Sequence, residues 1–257
     1  MEDPPLQEVS VAKRHFLFSL ACSHVLLASG EAYGWTALRP VLLDSGLFDS
    51  YSKQEQASML HAVATIGIAA SALCKLPLGL LLDKFGPRFT SVLGSLFLLT
   101  GSAIMALGDR QSQAMMMFGY FLLGVAGPFL QMPCFQFSEL YGQRKASAMA
   151  SLITCFELST GVFWVFDQLH QMFLWDRKIL FLGYCGVAVY ILLTSLFFWP
   201  DLPYRSPPPP PHAQVGSNLI ARCIVHRRCL SGFLDHVPDY ADGFQKNANS
   251  AGACAKN

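Results

Sequence analysis

Six stretches of this chain, residues 16–38, 59–82, 89–108, 114–138, 146–166 and 179–199, hold only three charged side chains between them: Glu31, Lys75 and Glu157. Each run is 20 to 25 residues long. A hydrocarbon core about 30 Å thick is crossed by ~20 residues of helix rising ~1.5 Å each. The pattern therefore predicts an all-α integral membrane protein with six transmembrane helices. Strands fit less well, because the runs lack two-residue alternation and are apolar on every side. The whole chain is 53% apolar and 14% charged, against about 45–50% and ~25% in a soluble domain. A formal net charge of +1 supplies neither the basic field of a nucleic-acid binder nor the acidic repulsion of a solvating tail.

The domain plan follows from where polarity returns. Residues 1–15 read as a short cytosolic N-terminus, 16–205 as the six-helix membrane unit, and 206–257 as a Pro-rich tail with too little pattern to fold. The first apolar run lacks a small-residue cleavage pattern, which predicts a retained helix rather than a secretory signal. Five of the eight cysteines, Cys22, Cys74, Cys134, Cys155 and Cys185, fall inside the apolar runs, where thiols pack as small hydrophobes. In the tail, the spacing of Cys223, His226, Cys229 and His236 is too irregular for a zinc site, and Pro207 to Pro211 reads as a stiff polyproline spacer. No metal and no cofactor is expected.

The connections at 39–58, 83–88, 109–113, 139–145 and 167–178 are short, as in a compact antiparallel bundle. Cations divide almost evenly between its ends. Lys13, Arg14, Lys84, Arg88, Arg144 and Lys145 lie at one end, and Arg39, Lys53, Arg110, Arg177 and Lys178 at the other. The positive-inside rule therefore barely chooses an orientation. Two loops at the first end share a pattern of acid, any, aromatic, Gly, any, Arg: Asp83-Lys84-Phe85-Gly86-Pro87-Arg88 and Glu139-Leu140-Tyr141-Gly142-Gln143-Arg144. An acid at a helix C-terminus opposes the helix dipole, so Asp83 needs a cation or a neighbouring helix N-terminus. Such a pair can break and re-form, which marks Gly79, Asp83, Gly86, Arg88, Glu139, Gly142 and Arg144 as candidate conformational-switch residues.

The run Gly79-x-x-x-Asp83-x-x-Gly86-x-Arg88 resembles the signature loop of the major facilitator superfamily. With Gly34-Trp35, Thr65-Ile66-Gly67, Leu76-Pro77-Leu78-Gly79, Gly94-Ser95, Gly124, Gly127, Gly142 and Trp199-Pro200, the chain from about 16 to 203 is similar to solute carrier family 43. That resemblance implies facilitators of large neutral amino acids or of a purine nucleobase, with the signature loop and both termini in the cytosol. Family members carry twelve helices in two halves that rock about a central site. The six runs here correspond to the N-terminal half only. The implied partners are a small-molecule solute, the lipid bilayer and a second half, supplied by another copy or by a full-length relative. A transport-inert chain that regulates such a relative is the alternative.

Ionisable groups at bilayer depth cost at least ~2.5–3.5 kcal/mol on insertion scales, so each is a functional candidate. Glu31, late in the first run, could meet a substrate ammonium or carry a proton, or else pair with Arg39 near the outer surface. Lys75 can snorkel toward the headgroups, and Glu157 is expected to pair with Lys75 or a polar neighbour. His24 and His61 read as hydrogen-bonded packing residues. In the fourth run, small residues and prolines permit close packing and kinks: Gly124, Gly127, Pro128 and Pro133 are the kink and packing positions. Gln131 and Gln136 would offer neutral donors and acceptors to a solute. Catalytic signatures such as a nucleophile elbow or a zinc-protease helix do not occur, so no enzyme activity is expected. The sequence does not choose between plasma and internal membranes.

Overall fold

A computed structural model describes residues 10–202. Residues 1–9 of the N-terminal tail, the polyproline run and the tail cysteines lie outside the described residues, whereas residues 11–15, read as part of that tail, already belong to the first helix. Among the described residues there are eight α-helices and no strand. They are α1 (Val11–Ala28), α2 (Trp35–Asp44), α3 (Lys53–Leu73), α4 (Lys75–Leu107), α5 (Gln113–Phe135), α6 (Lys145–Ser159), α7 (Val162–Phe173) and α8 (Arg177–Phe198). Short 3₁₀ segments, Glu31–Gly34 and Gln136–Arg144, join α1 to α2 and α5 to α6.

Five helical stretches are long and apolar enough to cross a bilayer: Val11–Asp44, Lys53–Leu73, Lys75–Leu107, Gln113–Phe173 and Arg177–Phe198. The sequence pattern counts six, and the difference arises where a glycine of non-helical conformation turns the chain between two rods. Inside α4, Gly86 has φ 81° and ψ 176°. Leu78 before it and Leu93 after it would be ~22 Å apart on a straight helix, yet both pack in one cluster with Val125 and Phe129. The chain therefore doubles back at Gly86. Gln113–Phe173 would measure ~90 Å if straight, and it is broken at Gly142, where φ is 49° and ψ is −112°. The path is six rods: 11–44, 53–85, 87–107, 113–141, 145–173 and 177–198.

Contacts fix their directions. Gly101 meets Gly119 and Gly94 meets Phe129, so the third and fourth rods are antiparallel. Arg14 donates to the Leu140 carbonyl (3.4 Å) while Tyr120 donates to the Ala32 carbonyl (2.9 Å), which runs the first rod against the fourth. His24 bonds Thr194 (2.7 Å) and Tyr184 donates to the Leu27 carbonyl (2.8 Å), so the sixth rod opposes the first. One end of the bundle gathers residues 10–15, the Gly86 and Gly142 turns and the segment 199–202; it is the inner end by the cytosolic placement that the family resemblance implies for the signature loop. The other gathers the remaining loops, where the Phe48 amide bonds the Arg110 carbonyl (3.1 Å) and His170 lies 3.3 Å from Asp44. There Arg177 is buried, its guanidinium donating to the Gly108 carbonyl (3.0 Å) and the Met116 sulfur (3.1 Å).

Small residues bring the rods together. A Cβ on Gly124 would overlap the Gly67 carbonyl, and one on Gly127 would overlap that of Ser29. Close backbone approach of this kind is the main source of cohesion between helices in lipid, where apolar side chains gain little by leaving the tails. The third rod's Ser95 and Thr90 return their hydroxyls to carbonyls one turn back, so they pack without an unmet donor.

Candidate functional site

The first rod is discontinuous at half its depth. α1 ends at Ala28, the chain passes through Ser29, Gly30 and a single 3₁₀ turn, and α2 restarts at Trp35. The break frees backbone groups that lipid cannot satisfy, and neighbouring rods supply the partners. Ser159 at the end of α6 accepts from the amides of Ser29 (3.2 Å) and Gly30 (2.6 Å). Tyr120 and Tyr184 donate to the carbonyls of Ala32 and Leu27. Gly30 and Gly34 lie so close to the fifth rod that a Cβ on either would strike a carbonyl of Phe156 or Thr160.

Glu31 opens this turn and is fully buried, and among the described residues no other residue hydrogen bonds to its carboxylate. Tyr120 and Tyr184 lie within electrostatic reach of it, but both phenol hydrogens are already given to carbonyls. Gly30 abuts Phe156 and Thr160, 11 and 15 residues into the fifth rod from Lys145, which places Glu31 ~16–22 Å from the inner end. The carboxylate therefore sits near mid-depth rather than at the outer surface, and no ion pair links it to Arg39, which is exposed.

Two residues on, Tyr33 is 40% exposed. Its hydroxyl is 3.3 Å from Ser71 of α3, and its ring meets Phe156 of α6 edge-on at 6.1 Å. Tyr33 thus marks an open face bordered by the second and fifth rods. Lys75 and Glu157 are exposed on those same rods, and among the described residues no ion pair or side-chain hydrogen bond involves either. The expected pairing between them within the chain is not formed, because Tyr33 and the first rod stand between their helices. Sequence reasoning missed Tyr33 and Ser159. Tyr33's only signal is its place between Gly30 and Gly34, and Ser159, distant from them in sequence, gives none.

The glutamines lie elsewhere. Gln131 is 8% exposed, and the Gln136 carbonyl oxygen is buried without a partner. Since Gly127 abuts Ser29, they stand ~6 and ~13 Å further toward the inner end than the break, and so do not converge with Glu31. Pro128 and Pro133 lie inside α5, and Pro128, Pro133, Gly124 and Gly127 are all buried against neighbouring rods. His24 stacks on Trp199 at 4.5 Å in addition to bonding Thr194. His61 is exposed.

At the inner end the two loops differ. Arg88 pairs with Asp201 (2.7 Å), and its Nε donates to the Trp199 carbonyl (2.7 Å). Gly86 is pressed against the Asp201 carbonyl, which a Cβ would overlap. The first loop therefore clasps the exit of the sixth rod, and Asp83 is exposed with no ion pair among the described residues. In the second loop Glu139 pairs with Lys145, while its other oxygen is buried without a partner. Arg144 and Gly142 are exposed, and Gly79 is half-buried with open space beside it. Among the described residues no cluster of three His, Cys, Asp or Glu could hold a metal.

A family model described as Major Facilitator Superfamily matches residues 25–235. Protein FMP42 of Saccharomyces cerevisiae is 29% identical over 206 residues, covering 75% of this chain and 41% of its own. Large neutral amino acids transporter small subunit 3 is 25% identical in its mouse form, covering 85% of this chain and 43% of that protein. Its human form is also 25% identical, covering 79% and 40%. The chain thus spans about two-fifths of the length of these relatives.

Proposed function

From the premise that this chain belongs to the major facilitator superfamily, we propose that it forms one six-helix wall of a carrier moving a neutral amino acid by alternating access. The observation that carries this reading is the interrupted first rod, with the enclosed Glu31, whose carboxylate meets no partner side chain among the described residues, two residues from the exposed Tyr33. Broken helices at mid-depth are the usual way membrane carriers present polar groups to a solute. A neutral amino acid brings an ammonium for Glu31 and a carboxylate for the Tyr33 hydroxyl, and its side chain would rest on the apolar flanks. Glu31 is shut off in this conformation, so the turn must open for the solute to reach it. Differential affinity for the open and closed arrangements is what couples solute to movement.

A nucleobase is the second substrate class, since it offers donors and acceptors to Tyr33 but no cation to Glu31. The relatives named as large neutral amino acid transporters favour the first class. A second reading is a transport-inert membrane protein that occupies a longer relative, and it draws on the chain's two-fifths coverage of those proteins. The test is uptake of labelled leucine and labelled adenine by cells expressing residues 1–257, with surface protein measured in parallel. Saturable leucine uptake that falls at least about tenfold in Glu31→Gln, with equal surface protein, is the expected result. Tenfold corresponds to about 1.4 kcal/mol, a modest loss for a charged contact. No uptake above untransfected cells, with the protein in the membrane, would overturn the carrier reading.

A further inference from the structure

The cations at the inner end are not equally placed. Arg14 and His15 directly precede the apolar run that starts at residue 16, and Arg144 stands two residues before the run that starts at 146. All three therefore lie at the level where hydrocarbon gives way to headgroups. Tyr141 brings them together. Arg14 lies over its ring at 5.1 Å and donates to the neighbouring Leu140 carbonyl (3.4 Å), while His15 Nδ1 is 3.0 Å from its hydroxyl. Arg14, His15, Tyr141, Gln143 and Arg144 line a cavity of about 410 Å³, within the ~300–1,000 Å³ range of small-molecule sites.

Elsewhere at this end the cations meet acids: Arg88 pairs with Asp201, and Lys145 with Glu139. Among the described residues neither Arg14 nor Arg144 has a carboxylate partner, and no acid lines the cavity. Arg14 is held in place by the ring and the carbonyl, yet its Nε is buried without a partner, and a guanidinium has more N–H donors than one carbonyl can use. Gln143 and Arg144 are exposed, with no side-chain hydrogen bond among the described residues. When the Tyr141 hydroxyl donates to His15 Nδ1, the imidazole hydrogen lies on Nε2 and adds a further donor. The cavity is thus walled by donors and by two permanent positive charges. A phosphate monoester brings about −1.5 to −2 charge and three acceptor oxygens, and guanidinium forks bind it bidentately. Beside these cations, Val11, one turn before Arg14 and His15 on α1, is 60% exposed. A lipid tail would cover that side chain, and a free ion would not.

We propose that this cavity binds the phosphate monoester of an anionic phospholipid, such as a phosphorylated inositol lipid of the inner leaflet, with Arg14 and Arg144 as its charged ligands. Basic pockets at the cytosolic ends of membrane helices are where such headgroups dock. The bound headgroup bridges the start of the first rod to the loop between the fourth and fifth. Glu31 and the Tyr33 face take no part in it, so the site stands or falls independently of any solute.

The experiment uses the purified full chain in detergent micelles, with the anisotropy of a fluorescent short-chain phosphatidylinositol 4-phosphate as the readout and phosphatidylcholine of the same chain length as the reference. Saturable binding at least about tenfold tighter than that of phosphatidylcholine is expected from two cations at the membrane surface. Arg14→Gln and Arg144→Gln should each weaken it about fivefold. Lys84→Gln removes an exposed inner cation outside the cavity and should leave binding unchanged. An equal loss in Lys84→Gln would mean a diffuse attraction of charge and overturn the proposal. So would phosphatidylcholine binding as tightly, or an Arg144→Gln variant with native affinity. Should Arg14→Gln fail to fold, because the guanidinium packs on Tyr141, Arg144→Lys supplies the second variant: it keeps the charge without the fork, and its affinity should fall between native and Arg144→Gln. Inositol 1,4-bisphosphate and inorganic phosphate serve as soluble competitors, and each should displace the lipid only in large excess. Displacement by either at concentrations equal to the lipid would assign the cavity to a free phosphate and overturn the lipid reading.

Discussion

At the scale of single residues, the decisive feature is that the same apolar run can hide a charge or show it. Glu31 is enclosed while Lys75 and Glu157 face outward, although all three look alike in sequence. The enclosure depends on Ser159, whose hydroxyl oxygen accepts both amides at the start of the break. Ser159→Ala leaves two buried donors unmet, each costing about 1–3 kcal/mol. Thermal unfolding in detergent should show a loss of that order, and Ser159→Thr, which keeps the acceptor, should recover much of it. A hydrogen-exchange measurement on residues 29–34 should report faster exchange in the alanine variant. Unchanged protection there would mean that Ser159 does not hold the break. Legibility at this scale was partial: the cost of burial singled out Glu31, whereas Tyr33 and Ser159 gave no such signal, being residue types that membrane helices tolerate anywhere.

Among the elements, the two inner loops share one sequence pattern and have different structures. Gly86 and Gly142 both have positive φ, 81° and 49°, where a side chain costs roughly 1–2 kcal/mol. Gly86 carries a second burden, since a Cβ there would overlap the Asp201 carbonyl, and at Gly142 there is open space. Gly86→Ala should therefore destabilise the protein by distinctly more than Gly142→Ala, measured as the fall in unfolding temperature of each. Equal falls would show that the clasp on the sixth rod adds nothing. Arg88→Gln removes the Asp201 pair and should loosen the same exit without disturbing Gly142. The repeated motif predicted two switch loops, but it could not predict that Arg88 reaches Asp201 rather than Asp83. The choice depends on where the sixth rod emerges, 111 residues further along from Arg88 at Trp199.

For the molecule as a whole, both ends of the described chain and both glycine turns lie at one end of the bundle, which the family resemblance assigns to the cytosol. A cysteine placed at Asp49 or Gln111, at the opposite end, should react with a membrane-impermeant maleimide on intact cells. One placed at Gln143 should react only after permeabilisation. The reverse pattern would invert the orientation and with it the direction from which solute meets the Tyr33 face. If the carrier reading holds, saturating leucine should also raise the unfolding temperature of the native protein, since a ligand at 100 times its Kd adds about 2.7 kcal/mol. Adenine should do so less, and Glu31→Gln should abolish the leucine effect.

The number of apolar runs, their length and the glycine turns that interrupt them were written in the sequence, because crossing a bilayer demands ~20 uncharged residues whatever surrounds them. Which side of each helix is covered was decided only in three dimensions. A leucine facing lipid and a leucine facing another helix are in equally apolar surroundings, so no periodicity records the difference. That is why the sequence could pair Lys75 with Glu157 inside the chain, and why only the packed bundle, with Tyr33 and the first rod between them, turned both charges outward.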